Sequence, residues 1–214
     1  DAREIIQRTA VPAVTPGWDV KSALRTRTFK VFLIISFCNM GVAQQITLAH
    51  FVYILQDAGY APMTAASLFS IFGVAFAVGT FSSFLSDRFG RTYIFLGGCL
   101  LTVLGTALML ATSAGTSLLI PLAFGISAGF GLGITPPTCF AAVADRFHGG
   151  NYGAIQGTII LWCSIGGAIG PWLGGILHDI TGTYEIALLL VLLMAAIAGF
   201  AMWTVRPGKG DVAV

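Results

Sequence analysis

The chain has 214 residues, with 11 Lys and Arg against 9 Asp and Glu, a net charge of +2 and a mean hydropathy of +0.87. Charged residues make up 9% and hydrophobic residues 56%, whereas a soluble domain carries about 25% charged residues. This excludes an ordinary soluble domain, and a charge so near neutrality, with its basic residues grouped at the ends of apolar runs, excludes a nucleic-acid-binding surface.

Residues 1–27 are polar, contain Pro12 and Pro16, and lack the apolar stretch of a cleaved signal. They are expected to be a cytoplasmic lead or the remnant of a longer loop. A membrane span needs about 20 mainly apolar residues, and six follow inside a membrane domain at 28–206: 29–55, 62–86, 92–110, 117–144, 152–177 and 185–205. Turns as short as 56–61 and 111–116 leave no room for a soluble domain, and 207–214 form a tail. The predicted fold class is all-α, a polytopic membrane protein with six transmembrane helices.

Every basic residue falls on one side of that topology. Arg3, Arg8, Lys21, Arg25, Arg27 and Lys30 precede or open the first span, Arg88 and Arg91 join the second to the third, Arg146 joins the fourth to the fifth, and Arg206 and Lys209 follow the sixth. Basic segments resist translocation, so both ends of the chain are expected in the cytoplasm of a cell membrane, here a bacterial inner membrane. Cys38, Cys99, Cys139 and Cys163 fall inside spans without metal-ligand spacing and read as small core residues. No metal or cofactor is expected.

Polar but uncharged residues divide the spans. The third and sixth are apolar nearly all round, as helices facing lipid would be. The first carries Asn39, Gln44, Gln45, Thr47 and His50; the fourth Thr135, Pro136, Pro137 and Thr138; the fifth Gln156, Thr158, Trp162 and Ser164. Polar side chains are costly in hydrocarbon and face a bundle interior or a wet cavity. Asn39, Gln44, Thr47, His50, Thr135, Gln156 and Trp162 are therefore the candidate cavity lining. His50 titrates near physiological pH when unperturbed and could couple a solute to protons; a neutral ring held by a neighbouring carbonyl is the alternative.

Gly125, Gly129 and Gly133 recur every four residues in the fourth span, and Gly166, Gly170 and Gly174 in the fifth, with Pro171 beside them. Such stripes let backbones approach closely, either for rigid packing or for motion. Pro136 and Pro137 free carbonyls that neighbouring protein or water must satisfy, which places the fourth helix beside a cavity.

Between the second and third spans the sequence runs from Gly79 to Asp87, Arg88, Gly90 and Arg91. Gly90 permits a turn too tight for a side chain. Asp87, at a helix C-terminus where the macrodipole disfavours a carboxylate, needs a partner, and Asp145, Arg146 and Phe147 in the next cytoplasmic connection offer one. Two exposed ion pairs anchoring the loops are the bland alternative, each worth about 0 to 1 kcal/mol.

Asp87, Arg88, Gly90 and Arg91 resemble the Asp-Arg-x-Gly-Arg signature of the major facilitator superfamily, which follows the second helix of each six-helix half. Asn151, Tyr152 and Gly153, with the stretch around Gly170 and Pro171, are similar to its monocarboxylate and oxalate/formate branch. The resemblance covers all six spans and implies the C-terminal half of a twelve-span fold, two three-helix inverted repeats with the substrate site near the midplane between halves. It implies first helices lining the cavity, second helices between halves, third helices facing lipid, and Gly79, Asp87, Arg88, Gly90, Arg91, Asp145 and Arg146 as a cytoplasmic gate. The partners it implies are a small-molecule solute, the lipid bilayer and an N-terminal six-helix half. The branch tends to carry a charge inside the helices of this half, and this sequence carries none there, so either the other half supplies it or the solute is not a carboxylate.

Three readings stand: a secondary transporter of small organic solutes, a monocarboxylate or dicarboxylate, working by alternating access with proton symport or antiport; a drug or neutral-solute exporter of the same fold; and a non-transporting membrane receptor or subunit. An enzyme is not expected, since no intramembrane carboxylate pair or activated nucleophile is visible.

Overall fold

The computed structural model describes residues 17–111 and 117–205. The expectations for 1–16, 112–116 and 206–214, among them those for Arg3, Arg8, Arg206 and Lys209, lie outside the described residues. A short helix α1 (Val20–Arg25) opens on a capping box, in which the Asp19 carboxylate accepts from the Ser22 N–H at 2.8 Å while the Ser22 hydroxyl oxygen accepts from the Asp19 N–H. Thr26 caps the next helix by accepting from the Phe29 N–H.

Then follow α2 (Arg27–Asp57), α3 (Pro62–Ser82), α4 (Leu85–Phe89), α5 (Arg91–Leu110), α6 (Leu119–Arg146), α7 (Tyr152–Thr181) and α8 (Glu185–Thr204). Six of these, α4 excepted, are long and apolar enough to cross a membrane, and even the 20-residue α5 and α8 reach about 30 Å. The second span is shorter than its apolar run. It ends at Ser82, the chain turns at Ser83 and Phe84, and Asp87 lies in the first turn of α4 rather than at the end of the span. The dipole argument for Asp87 is thereby reversed, because a carboxylate is welcome in a first turn.

The packing interchanges two groups of three helices. α2 packs chiefly on α7 and α8, α6 packs on α3 and α5, and α5 meets α8. The first helix of each group thus lies against the second and third helices of the other. Burial follows this plan: α2 and α6 are 67% and 56% buried in their central windows, α5 and α8 39%, and α3 and α7 only 22%. Leu100, Leu104 and Leu108 on α5 and Leu189, Leu193 and Phe200 on α8 present an exposed apolar surface suited to lipid.

Glycines set the closest approaches. A Cβ at Gly129 would stand 2.6 Å from the Phe72 carbonyl, one at Gly133 would strike the Phe76 carbonyl, and one at Gly79 would strike that of Phe130, so α3 and α6 meet backbone to backbone. Gly125 sits in looser contact with Phe51. On the other seam a Cβ at Gly166 would lie 2.7 Å from the Phe37 carbonyl, one at Gly170 3.0 Å from that of Val42, and one at Gly174 2.8 Å from the His50 ring. We expect Gly166→Leu to cost more than the ~1 to 3 kcal/mol of ordinary overpacking, since backbone must move to admit it. A thermal melt in detergent reads this as a large loss of stability.

α6 stays helical through Pro136 and Pro137 because the freed carbonyls find hydroxyls. Pro137 cannot donate to Gly133, whose carbonyl instead shares the Thr80 hydroxyl of α3, at 3.1 Å, with the Phe76 carbonyl at 3.0 Å; Leu132, four residues before Pro136, lies 3.3 Å from the Thr135 hydroxyl, whose proton goes chiefly to Asn39 at 2.8 Å. Thr80→Val removes the first compensation at nearly constant shape. The expected loss is about 1 kcal/mol, between the average interhelical bond in a bilayer and the full cost of an unpaired buried carbonyl, read as a lowered melting temperature.

Candidate functional site

Two places gather the candidate residues. The first is a charged clasp where the connection after α3 meets the end of α6. Gly90, at φ +95°, makes the turn into α5, in a region that side chains strain to adopt. The turn aims Arg91 back across the loop: its Nε donates to Asp145 Oδ2 at 2.9 Å, its guanidinium donates to Ser86 Oγ at 2.7 Å, and it pairs with Asp87. Arg91 is therefore the hub, joining α4 and α5 to the end of α6, and Asp87 finds its cation four residues on in its own motif.

The other expected gate residues turn elsewhere. Arg88 lies over the Phe89 ring at 5.9 Å. Arg146 donates to the carbonyls of Ala142 and Val205 and covers the Phe32 ring at 5.5 Å, tying α6 to α2 and α8. Gly79 belongs to the contact between α3 and α6 described above. The clasp itself thus comprises Ser86, Asp87, Arg91 and Asp145.

The second place is the polar ribbon of α2. Part of this helix, Ser36–Ala43, is wound as a π-helix, with the Gln44 N–H reaching the Asn39 carbonyl five residues back. Such widened turns occur mostly as local bulges, frequently at functional sites. Asn39 faces inward there: its Oδ1 accepts from the Thr135 hydroxyl at 2.8 Å and its amide donates to the Cys99 sulfur at 3.7 Å. Asn39 and Thr135 are 0% exposed and Thr47, whose hydroxyl donates to the Ala43 carbonyl, is 1% exposed. The three, expected to line a cavity, are buried within this bundle: Asn39 and Thr135 tie α2 to α6, and Thr47 bonds the backbone of its own helix.

Gln44 and His50 are different. Gln44 is half-buried, with its amide oxygen out of water and without a partner among the described residues. The His50 Nε2 lies 2.9 Å from the Pro171 carbonyl, which assigns the proton to Nε2. Its Nδ1 is buried and has no partner among the described residues. The ring is 5.2 Å from that of Tyr184, which stacks in turn on His178 at 4.3 Å, and the Tyr184 N–H donates to Asp57. Burial, and after it the Asp57 carboxylate, pushes the Tyr184 phenol above its ordinary value. Tyr184 carries no motif, so sequence reasoning passed over it.

On α7, Gln156 accepts from the Tyr152 hydroxyl at 3.1 Å, and Trp162 meets Phe37 edge to face. Six residues apart, the two point about 120° from each other round the helix, so one solute would not touch both in the same way.

Six membrane helices in two interlocked groups of three, clasped by charge at one end and left open along α3 and α7, define one half of a two-bundle transporter fold. The chain belongs to the Major Facilitator Superfamily, whose sequence profile matches residues 31–213. It is 30% identical over 173 residues to monocarboxylate transporter 13 of Bos taurus, an alignment covering 79% of this chain and 39% of that protein. The rat protein of the same name is 30% identical over 142 residues, covering 65% and 32%, and an MFS-type efflux transporter of Phaeosphaeria nodorum is 31% identical over 109 residues, covering 50% and 18%. A solved structure of the MFS transporter FucP in an outward conformation superposes with a TM-score of 0.74 at 21% identity, covering 94% of this chain and 50% of that one. The chain thus spans about half, or less, of the length of the proteins it matches.

Proposed function

We propose that this chain is the C-terminal half of a secondary transporter that carries a small organic carboxylate together with a proton, by alternating access between this bundle and a second six-helix bundle. The observation that carries the proposal is His50: an imidazole inside a span, fixed at Nε2 by the Pro171 carbonyl, whose buried Nδ1 has no partner among the described residues. A protonated His50 can donate to a carboxylate that the uncharged interior would otherwise reject. The monocarboxylate names of the bovine and rat relatives agree with this solute class. The glycines of α3 and α7 with open space beside them, Gly73, Gly153, Gly157 and Gly175, offer the second bundle a close approach.

We assign the basic end to the cytoplasm of a cell membrane, a bacterial inner membrane in the first instance. Among the described residues Lys21, Arg25, Arg27, Lys30, Arg88, Arg91 and Arg146 all lie toward that end, and the opposite connections hold Asp57, Asp179 and Glu185. The test is uptake of labelled lactate, oxalate and formate by the full-length protein in sealed liposomes, with and without an inward proton gradient. Saturable uptake raised by the gradient is expected. A second reading, export of a drug or neutral solute, is favoured by the half-buried polar side chains of α2 and α7, Gln44, Gln45 and Gln156, being uncharged. Folded protein that leaves all three acids outside would select it over the carboxylate reading, and binding without flux would select a receptor.

A further inference from the structure

Neither ring nitrogen of His50 stands open to an arriving proton. Nε2 is engaged with the Pro171 carbonyl at 2.9 Å, and Nδ1 is buried without a partner among the described residues. A proton bound for Nδ1 must come past the groups packed around the ring.

Those groups lead away from the basic end, toward the end that the topology places outside. The His50 ring lies 5.2 Å from that of Tyr184, which is 8% exposed. The Tyr184 ring in turn lies 4.3 Å from that of His178 and within 25° of parallel to it. His178 occupies the last turn of α7, about two turns beyond Pro171, and its side chain is 33% exposed. Three rings from three helix segments thus run from the surface to the imidazole with the buried nitrogen. Asp57, at the end of α2, fixes the middle one by accepting from the Tyr184 N–H at 3.1 Å.

The outer end of this stack is built to meet protons. A helix C-terminus is the negative end of the macrodipole and accommodates a cation in its last turn. The face of Tyr184 offers an imidazolium a cation–π contact, well inside the limit of about 6 Å. Asp179 Oδ1 stands 3.8 Å from His178 Nδ1. The other titratable groups facing the stack are Tyr53 and Asp57 from α2 and Glu185 from α8, all neutral or negative, whereas every Lys and Arg among the described residues lies at the opposite end. A mouth of one charge sign concentrates its counter-ion, which here includes the proton.

We propose that His178 is the outward proton-binding residue of this bundle, taking a proton from the outer medium and passing it, with water as the carrier along the Tyr184 ring, to Nδ1 of His50. His178 returns to a neutral imidazole with each transfer, and His50 becomes the imidazolium that meets the carboxylate. Tyr184 is a positioning residue that holds both imidazoles on one ring. The assignment rests on the proton-coupled reading of His50 and divides the work within it: His50 couples the proton to the solute, and His178 sets how fast the proton arrives.

The experiment uses the full-length protein in sealed liposomes, oriented with the basic end inside, under an inward proton gradient and with an impermeant zwitterionic buffer outside at low or high concentration. His178→Ala is expected to lower gradient-driven uptake of labelled lactate several-fold at low buffer and to regain much of it at high buffer, because a soluble base then delivers the protons. Wild-type uptake changes little between the two. Exchange of labelled for unlabelled lactate at equal pH on both sides needs no net delivery of protons, and stays near the wild-type rate in His178→Ala. A wild type without gradient-driven uptake, or His50→Gln retaining it, overturns the reading of His50 and the relay with it. Wild-type uptake by His178→Ala at low buffer, with His50→Gln unresponsive to the gradient, overturns the relay alone. So does loss of both uptake and exchange with no recovery at high buffer, which would make His178 a packing residue at the end of α7.

Discussion

Arg91→Gln is expected to lower the transport rate of the full-length protein about tenfold while leaving its insertion and melting temperature near those of the wild type. Arg91 joins Ser86 and Asp87 on one side to Asp145 on the other. The carboxylates are 63% and 53% exposed, and exposed pairs are worth about 0 to 1 kcal/mol each. Neutralising one acid therefore removes at most one small contribution, and Asp87→Asn should lower the rate by no more than about fivefold. Removing Arg91 removes both at once, about 1.4 kcal/mol together, which is a factor of ten in an equilibrium. That loss becomes a loss of rate only if the clasp is closed in one transport state and open in the other, because a contact made equally in both shifts nothing. Wild-type uptake by inserted Arg91→Gln protein would reduce the clasp to an anchor of loops. Equal damage from Asp87→Asn and Arg91→Gln would show that the Asp87 pair carries the clasp by itself.

The fold was legible because the membrane simplifies the code. Six apolar runs, the grouping of Lys and Arg, and glycines every four residues are each read within a single helix, and all six helices lie on those runs. The packing seams were legible for the same reason: a stripe such as Gly125, Gly129 and Gly133 has a use only if another backbone comes close. Residues whose role depends on a distant partner were not legible. Asn39 read as cavity lining because an amide in a span demands a partner, yet that partner is Thr135, 96 residues away inside the same bundle. The π-helix that carries Asn39 has no pattern of its own in the sequence. Pro137 announced a freed carbonyl but not that Thr80 would fill it. Arg91 was within the motif that drew attention to Asp87, but the pair closes across the Gly90 turn between two helices, which helical spacing does not reveal.

His50 separates the proton from the scaffold, and two substitutions make that separation measurable. His50→Ala removes both the contact with the Pro171 carbonyl and the titratable Nδ1. Gradient-driven uptake is then expected to fall by about 5- to 150-fold, the range of ordinary coupling energies between two bound species. This result alone does not isolate the proton, because α2 and α7 lose a bond at a seam that also brings Gly174 against the ring. His50→Gln keeps an amide N–H able to reach the Pro171 carbonyl but cannot titrate. If His50 carries the coupled proton, His50→Gln melts like the wild type and exchanges labelled for unlabelled solute, yet its uptake no longer responds to the gradient. The sign follows from mass action: a coupled proton is a co-substrate, so wild-type uptake falls as the inward proton gradient is collapsed, whereas uptake by His50→Gln does not respond. A gradient response retained in His50→Gln would leave the ring as a clamp between two helices and move the search for the proton site to the second bundle, where a titratable group must then lie within reach of the solute.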